Sequence, residues 1–170
     1  MSLIPSQFIS RSPKQNGAIL VEAAVLLPIM LMILLATIEI AAALSQYCTI
    51  VTQVQIAARY LSTVASGSGS SDAVCLVRYG KLPVSGTCSG SPILPGLLSA
   101  TVTVEDSSTN SALRAIAVQA GSHIVRVNMV RVSVRGYKYY PVIGKFLSGI
   151  LSDQETINFN SISSTRRQIL

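Results

Sequence analysis

An α+β fold is predicted for this chain of 170 residues, with a long N-terminal transmembrane and amphipathic helix packed on a small antiparallel β-sheet. Three observations predict it: an apolar run near the N-terminus, a helical period that continues beyond that run, and a Val-rich remainder with stretches of period two. The length suits one domain plus an anchor, since globular domains usually hold about 100–150 residues. Only 12% of the residues are charged and 49% are apolar. Ordinary soluble domains carry roughly a quarter charged residues, so the composition points to lipid before it points to a large core.

The first element is a leader, residues 1–17. It holds Pro5, Pro13, Arg11 and Lys14 and shows no periodic pattern, which reads as a disordered targeting segment. Arg11 and Lys14 have no acidic residue beside them, so the leader is expected in the cytoplasm and all that follows the helix outside it. Residues 18–44 form the transmembrane helix: from Ala18 to Ile38 only Glu22 is charged. That span covers roughly 30 Å at about 1.5 Å per residue, the thickness of a hydrocarbon core. Ala and Leu dominate it, and Pro28 is expected to bend the helix without ending it.

Residues 45–66 continue the helix in amphipathic form. Ile50, Val54, Ala57, Ala58, Leu61, Val64 and Ala65 recur at three- and four-residue steps, with Thr49, Thr52, Gln53, Arg59 and Ser62 largely opposite. Gly67, Gly69 and the serines around them then mark a turn. Residues 67–170 form an exported, β-rich domain. Strands are predicted at Ala73–Tyr79, Ala100–Glu105, Ile124–Tyr140 and, more weakly, Thr156–Ser163; residues 111–120 fit a short helix or a strand equally well. Within the longest strand the polar phase shifts from Arg126 and Asn128 to Arg131, Ser133 and Arg135, which calls for a bulge or bend near Met129 and Val130. Tyr139, Tyr140 and Pro141 lead into VIGKFLSGIL, a loop or short helix.

The net charge of +6 comes from basic residues scattered along the chain rather than gathered on one face with aromatic neighbours, so no nucleic-acid partner is expected. Zinc spacing is absent from one His and three Cys without close pairing, and neither metal nor cofactor is expected. Gly86-Thr87-Cys88-Ser89-Gly90 has the outline of a nucleophile elbow, for which His123 is the one available imidazole base. The elbow needs a strand before it and a helix after it, and KLPVSGT and SPILPG supply neither. No enzyme and no small-molecule substrate are therefore expected, and an anchored hydrolase ranks well below an anchored periplasmic binding module as an alternative.

Cys75 and Cys88 lie in the exported region among turn-forming Gly80, Pro83, Gly86 and Gly90. A disulfide between them would close a short loop and stabilise it by roughly 3 kcal/mol in the chain-entropy model, and an oxidising compartment favours it. Cys48, on the helix at the membrane exit, reads as a small buried residue.

The most informative spacing is Gly17 followed five residues later by Glu22, at the start of the apolar run. A carboxylate there is costly to bury and asks for a reason. A signal anchor with Glu22 at the interface is one; a signal peptide cut near Ala41–Ala43 would need an unusually long apolar region. The spacing also resembles the cleavage site of type IV prepilins, cut after the glycine with the glutamate fifth in the mature chain. The segment GAILVEAAVLLPIMLMILLATIEIA resembles the TadE-like family of tight-adherence (Flp, type IVc) pilus systems in its Gly17, Glu22, Leu26-Leu27-Pro28 and Glu39, and Ala57-Ala58-Arg59 resembles that family's "AAR". Tyr139-Tyr140-Pro141 and a last strand ending near Ser164–Arg167 resemble its C-terminal pattern. Ala23 and Ile40 depart from it, standing where family members usually carry aromatic residues.

The resemblance implies a bacterial inner-membrane protein with its C-terminal domain in the periplasm, which after processing joins, primes or tips an extracellular pilus. It implies cleavage between Gly17 and Ala18, an assembly role for Glu22 in neutralising the new α-amino group, and adhesion as the outcome. The implied role is a minor pilin or pseudopilin, and the implied partners are the prepilin peptidase, the major pilin, a sister pseudopilin and the inner-membrane pilus platform. Glu39, near the outer interface, reads as a solvated helix-end carboxylate.

Overall fold

The computed structural model describes residues 14–141 and 156–169. The chain divides into two compact units, Met1–Ile40 and Ala41–Leu170. The leader's first thirteen residues and the connection VIGKFLSGIL lie outside the described residues.

Helix α1 runs unbroken from Lys14 to Ser62 and carries Pro28 inside it. In the first unit its large apolar side chains from Ile19 through Ile40 are exposed on every side, with Glu22 and the half-buried Glu39 the charged residues among them. One helix among the described residues is long and apolar enough to cross a membrane, and it starts near the N-terminus. Thr37 donates its hydroxyl to the Leu34 carbonyl at 2.7 Å, which satisfies that polar group within the helix itself.

In the second unit the same helix becomes a core element. Ile50, Val54, Ala57, Ala58 and Leu61 are at most 3% exposed and join Val130, Val132, Val134, Tyr137, Tyr139 and Ile162 in one buried cluster. The predicted stripe is therefore the buried one up to Leu61; Val64 is half-buried and Ala65 exposed, because the helix has ended at Ser62. Ala57 and Ala58 are fully buried, and their small side chains let neighbouring elements approach closely. Arg59 stays exposed in the last turn, where a cation suits the negative end of the helix dipole.

The predicted strand Ala73–Tyr79 is a helix, α2, spanning Ser70–Tyr79. Its apolar residues satisfy both periods, and the flanks decide: Asp72 sits in the first turn, and Gly80 caps the C-terminus in the left-handed conformation, φ 66°, donating its N–H to the Leu76 carbonyl. A Cβ on Gly80 would also meet the Ile93 Cδ1 at 2.8 Å. Tyr60 on α1 donates to the Asp72 carboxylate at 2.8 Å and joins the two helices; that hydrogen bond, burial and the nearby charge together raise the Tyr60 pKa.

Strands β1 (Thr101–Glu105), β4 (Met129–Arg135) and β7 (Ile162–Arg167) form a three-stranded antiparallel sheet in the order β1-β4-β7. Strands β2 (Ile116–Ala120) and β3 (His123–Val127) make a separate hairpin, and β5 (Lys138–Tyr139) pairs with β6 (Ile157–Asn158). The open segment 111–120 contains both alternatives: a 3₁₀ turn at Ser111–Leu113, then β2. The predicted phase slip is a change of sheet. At Asn128 the chain leaves the β2–β3 hairpin and enters the main sheet, one residue ahead of the expected bend. Asn128 holds the joint, accepting from the Ala115 N–H at 3.0 Å with its side chain and from the Gln168 N–H at 2.8 Å with its carbonyl.

The end of α1 is tied to the rest of its unit by two polar clamps. Asp106, 7% exposed, accepts from the N–H groups of Gly67, Ser108 and Thr109 and from the hydroxyls of Ser108 and Thr109. Burial by itself would raise its pKa, but these hydrogen bonds outweigh it and hold the carboxyl well below the usual carboxylate range. Gln168 forms the second clamp: its amide donates to the Val64 carbonyl at 2.8 Å and accepts from Ser66, while the Ile169 N–H reaches the Ser62 carbonyl at 2.9 Å. With its one proton given to Gln168, Ser66 receives the hydroxyl of Ser107 at 2.7 Å.

Candidate processing and assembly site

Gly17 is the fourth residue of α1, and Ala18 and Glu22 follow on the same helix, all three exposed. The bond between Gly17 and Ala18 therefore closes the first helical turn, and its N–H, from Ala18, is among the first to find an acceptor within the helix. That turn contains no acidic residue to complement the helix dipole. Glycine there costs about 1 kcal/mol of helix propensity relative to Ala. The sequence thus sets the bond beside a weak helix former, and nothing lies within 4 Å of where a Gly17 Cβ would stand.

Ala18 and Glu22 stand four positions apart, one helical turn on the same face, with Cβ atoms about 5–6 Å apart at that spacing. An α-amino group created on Ala18 would be both a cation and the positive end of the helix dipole, and Glu22 lies within one turn of both. Glu39 lies on the same helix seventeen positions further on, outside that neighbourhood.

The cysteines divide as expected in pairing. Cys75 on α2 is bonded to Cys88, with Cα atoms 5.4 Å apart, and Cys48 is free. Cys75 is buried and Cys88 exposed, so the bridge pins the loop after α2 to the core. Between them Ser85 and Gly86, φ 56° and 79°, form a tight turn closed by the Val84 and Thr87 bridge. The expectation of a buried Cys48 is corrected: it is exposed, because the buried stripe of α1 passes through Ile50 and Val54 on another side of the helix. The elbow reading loses its nucleophile to the disulfide, and His123 lies exposed beside the β2–β3 turn.

Sequence reasoning missed the Asp106 and Gln168 clamps. The signal for the first was present in Asp106-Ser107-Ser108-Thr109, a run typical of side chains that bond to their own turn. Gln168 offered none, since its partners lie about a hundred positions earlier in the chain.

Tyr139 and Tyr140 alternate across β5 and the residue after it. Tyr139 is buried, stacked at 6.5 Å on Phe159, while Tyr140 is half exposed. Tyr137 joins that cluster, and its hydroxyl, with one proton to share, lies 2.6 Å from the Gln46 amide oxygen and 3.1 Å from the Pro95 carbonyl; burial raises its pKa. Tyr47 meets Phe159 edge-on at 5.6 Å, so the helix immediately beyond the apolar run rests against aromatic rings.

No match was found among curated proteins or among solved structures. Residues 17–59 match the TadE family model, described as TadE-like protein. The match opens at Gly17 and closes at Arg59, enclosing Glu22, Leu26-Leu27-Pro28, Glu39 and Ala57-Ala58, and over that span the chain is TadE-like.

Proposed function

We propose that this chain is a minor pilin or pseudopilin of a type IVc (Flp/Tad) pilus, made as a prepilin and held in the inner membrane by α1. Its leader stays in the cytoplasm and its β-rich unit, within residues 67–170, faces the periplasm. The prepilin peptidase cuts between Gly17 and Ala18. The mature chain then works with the major pilin, a sister pseudopilin and the inner-membrane platform to build a pilus used in adhesion.

The observation that carries this reading is the TadE-like match to α1, which begins at the glycine of the proposed cut. Two features support it. Glu22 lies one turn from the terminus the cut would create, and the Cys75–Cys88 bridge suits an oxidising compartment. The deciding measurement is the N-terminal mass of protein purified from its own membrane. A chain beginning at Ala18 is expected. An intact Met1 terminus leaves a plain anchored module, and a terminus near Leu44 makes the apolar run a discarded signal.

A further inference from the structure

We propose that the outward face of the β1–β4–β7 sheet binds an acidic saccharide, a sugar of the uronic-acid type that offers one carboxylate and several hydroxyls. This concerns the second unit alone and stands whether or not the chain joins a pilus.

The antiparallel register sets the chemistry of that face. Thr103, Ser133 and Ser163 stand abreast, one from each strand. The next row along the strands is Glu105, Arg131 and Thr165, and Arg135 stands two residues beyond Ser133 on the other side. Alternate residues Val102, Val104, Val132, Val134 and Ile162 turn to the core, so the short polar side chains have a packed floor beneath them. The face is recessed into a cleft of about 260 Å³. Small-molecule sites usually run from roughly 300 to 1,000 Å³, so this one suits a ligand of a sugar unit's size.

The donors and acceptors in the cleft are unequally committed. The hydroxyls of Thr103, Ser133 and Ser163 have no hydrogen-bond partner among the described residues, although Ser133 is only 7% exposed. Each is both donor and acceptor, which fits a polyhydroxylated ligand; a phosphate dianion would use only the donor half. Arg131 is partly neutralised by Glu105 at 3.7 Å and held by the Thr165 hydroxyl at 3.3 Å. Arg135 donates to the Ser161 hydroxyl at 3.3 Å and has no carboxylate partner among the described residues.

Four residues along an extended strand separate the two arginine stems by about 13 Å, and each fork is engaged at its own end of the face, Arg131 by Glu105 and Thr165 and Arg135 by Ser161. Arg135 is the fork for the ligand's carboxylate. The sugar ring then lies over the row of hydroxyls, and Glu105 accepts from its far side. Ser and Thr lose little rotamer freedom when a ligand orders them. The face carries no aromatic platform, so binding is polar and weakens as salt rises.

The test uses the full chain in lipid nanodiscs, titrated calorimetrically with trigalacturonate, with uncharged galactotriose and with sodium sulfate. Trigalacturonate is expected to bind, with galactotriose and sulfate each at least about tenfold weaker, since loss of a bidentate charged contact is worth that much. Arg135→Gln should weaken trigalacturonate by about tenfold and Ser133→Val by several-fold, while Arg126→Gln, an equal loss of charge on the β2–β3 hairpin, should leave it unchanged. An unchanged thermal midpoint and an intact Cys75–Cys88 bridge qualify each variant as folded. Three results would overturn the assignment: no binding at about ten-millimolar ligand, equal binding by Arg135→Gln, or sulfate competing as well as the saccharide.

Discussion

Glu22 sits on a helix whose neighbours from Ile19 to Met30 are exposed apolar side chains, so its carboxylate is set against the preference of everything beside it. Replacing it with Gln makes the anchor more apolar, and insertion and protein level should hold or improve. If its task is to neutralise the amino group of Ala18, the Glu22→Gln protein should be inserted and cleaved yet fail to restore pili to a deletion strain. Normal piliation at normal protein level would remove the assembly role. Asp106 is the opposite case, an acid surrounded by donors. Its pKa lies below the unfolded value of about 3.9, so the stability it contributes is fully present above that pH and is lost as pH falls towards the folded value. Asp106→Asn should lower the thermal midpoint at pH 7 and flatten the acid limb of the stability curve below about pH 4. An unchanged acid limb would show that the carboxylate is not what holds the clamp.

Among the elements, α1 was the most legible, because one apolar run and one amphipathic stripe have the same period and differ only in what covers them. Ala57 and Ala58 were visible as motif residues, and their complete burial gives the physical reason for small side chains there. Ala58→Leu should therefore destabilise by about 1–3 kcal/mol through overpacking, seen as a lower thermal midpoint, while Ile56→Leu on the exposed side should change little. Helix α2 was misread because Ala73, Cys75 and Val77 alternate as a strand would, while Asp72 and Gly80 at its ends carried the helical signal. The β-register slip was legible at Met129, but its outcome, a hand-over between two sheets, depends on pairing partners far away in sequence. The Cys75–Cys88 pair survived the error in α2, since short loop closure does not depend on whether Cys75 lies on a helix or a strand.

At the scale of the whole molecule, the first unit's helix presents apolar surface on all sides and the second unit holds the buried cluster. Alkaline carbonate washing, which strips peripheral proteins, should leave the chain in the membrane pellet, and detergent should release it. Release by carbonate alone would argue against a spanning α1. The candidate site was legible to the extent that it is linear: Gly17, Ala18 and Glu22 are near neighbours in sequence, and a helix brings them together with no help from the rest of the fold. The cleft on the sheet was not legible, because Thr103, Ser133 and Ser163 come from three strands and become a row only through the register.

The clamp at Gln168 has a mechanical consequence. The turn Thr63–Gly69 is the first non-helical stretch that a pull along α1 would meet, but Ser62, Val64 and Ser66 are each tied across to Gln168 or Ile169. Tension along the last turns of α1 is therefore passed at Ser62 to Ile169, just beyond β7, and from there to β7 and its paired strand β4, instead of being spent on straightening the turn. A pull on those turns leaves the β-sheet of the second unit in fixed relation to the end of the helix.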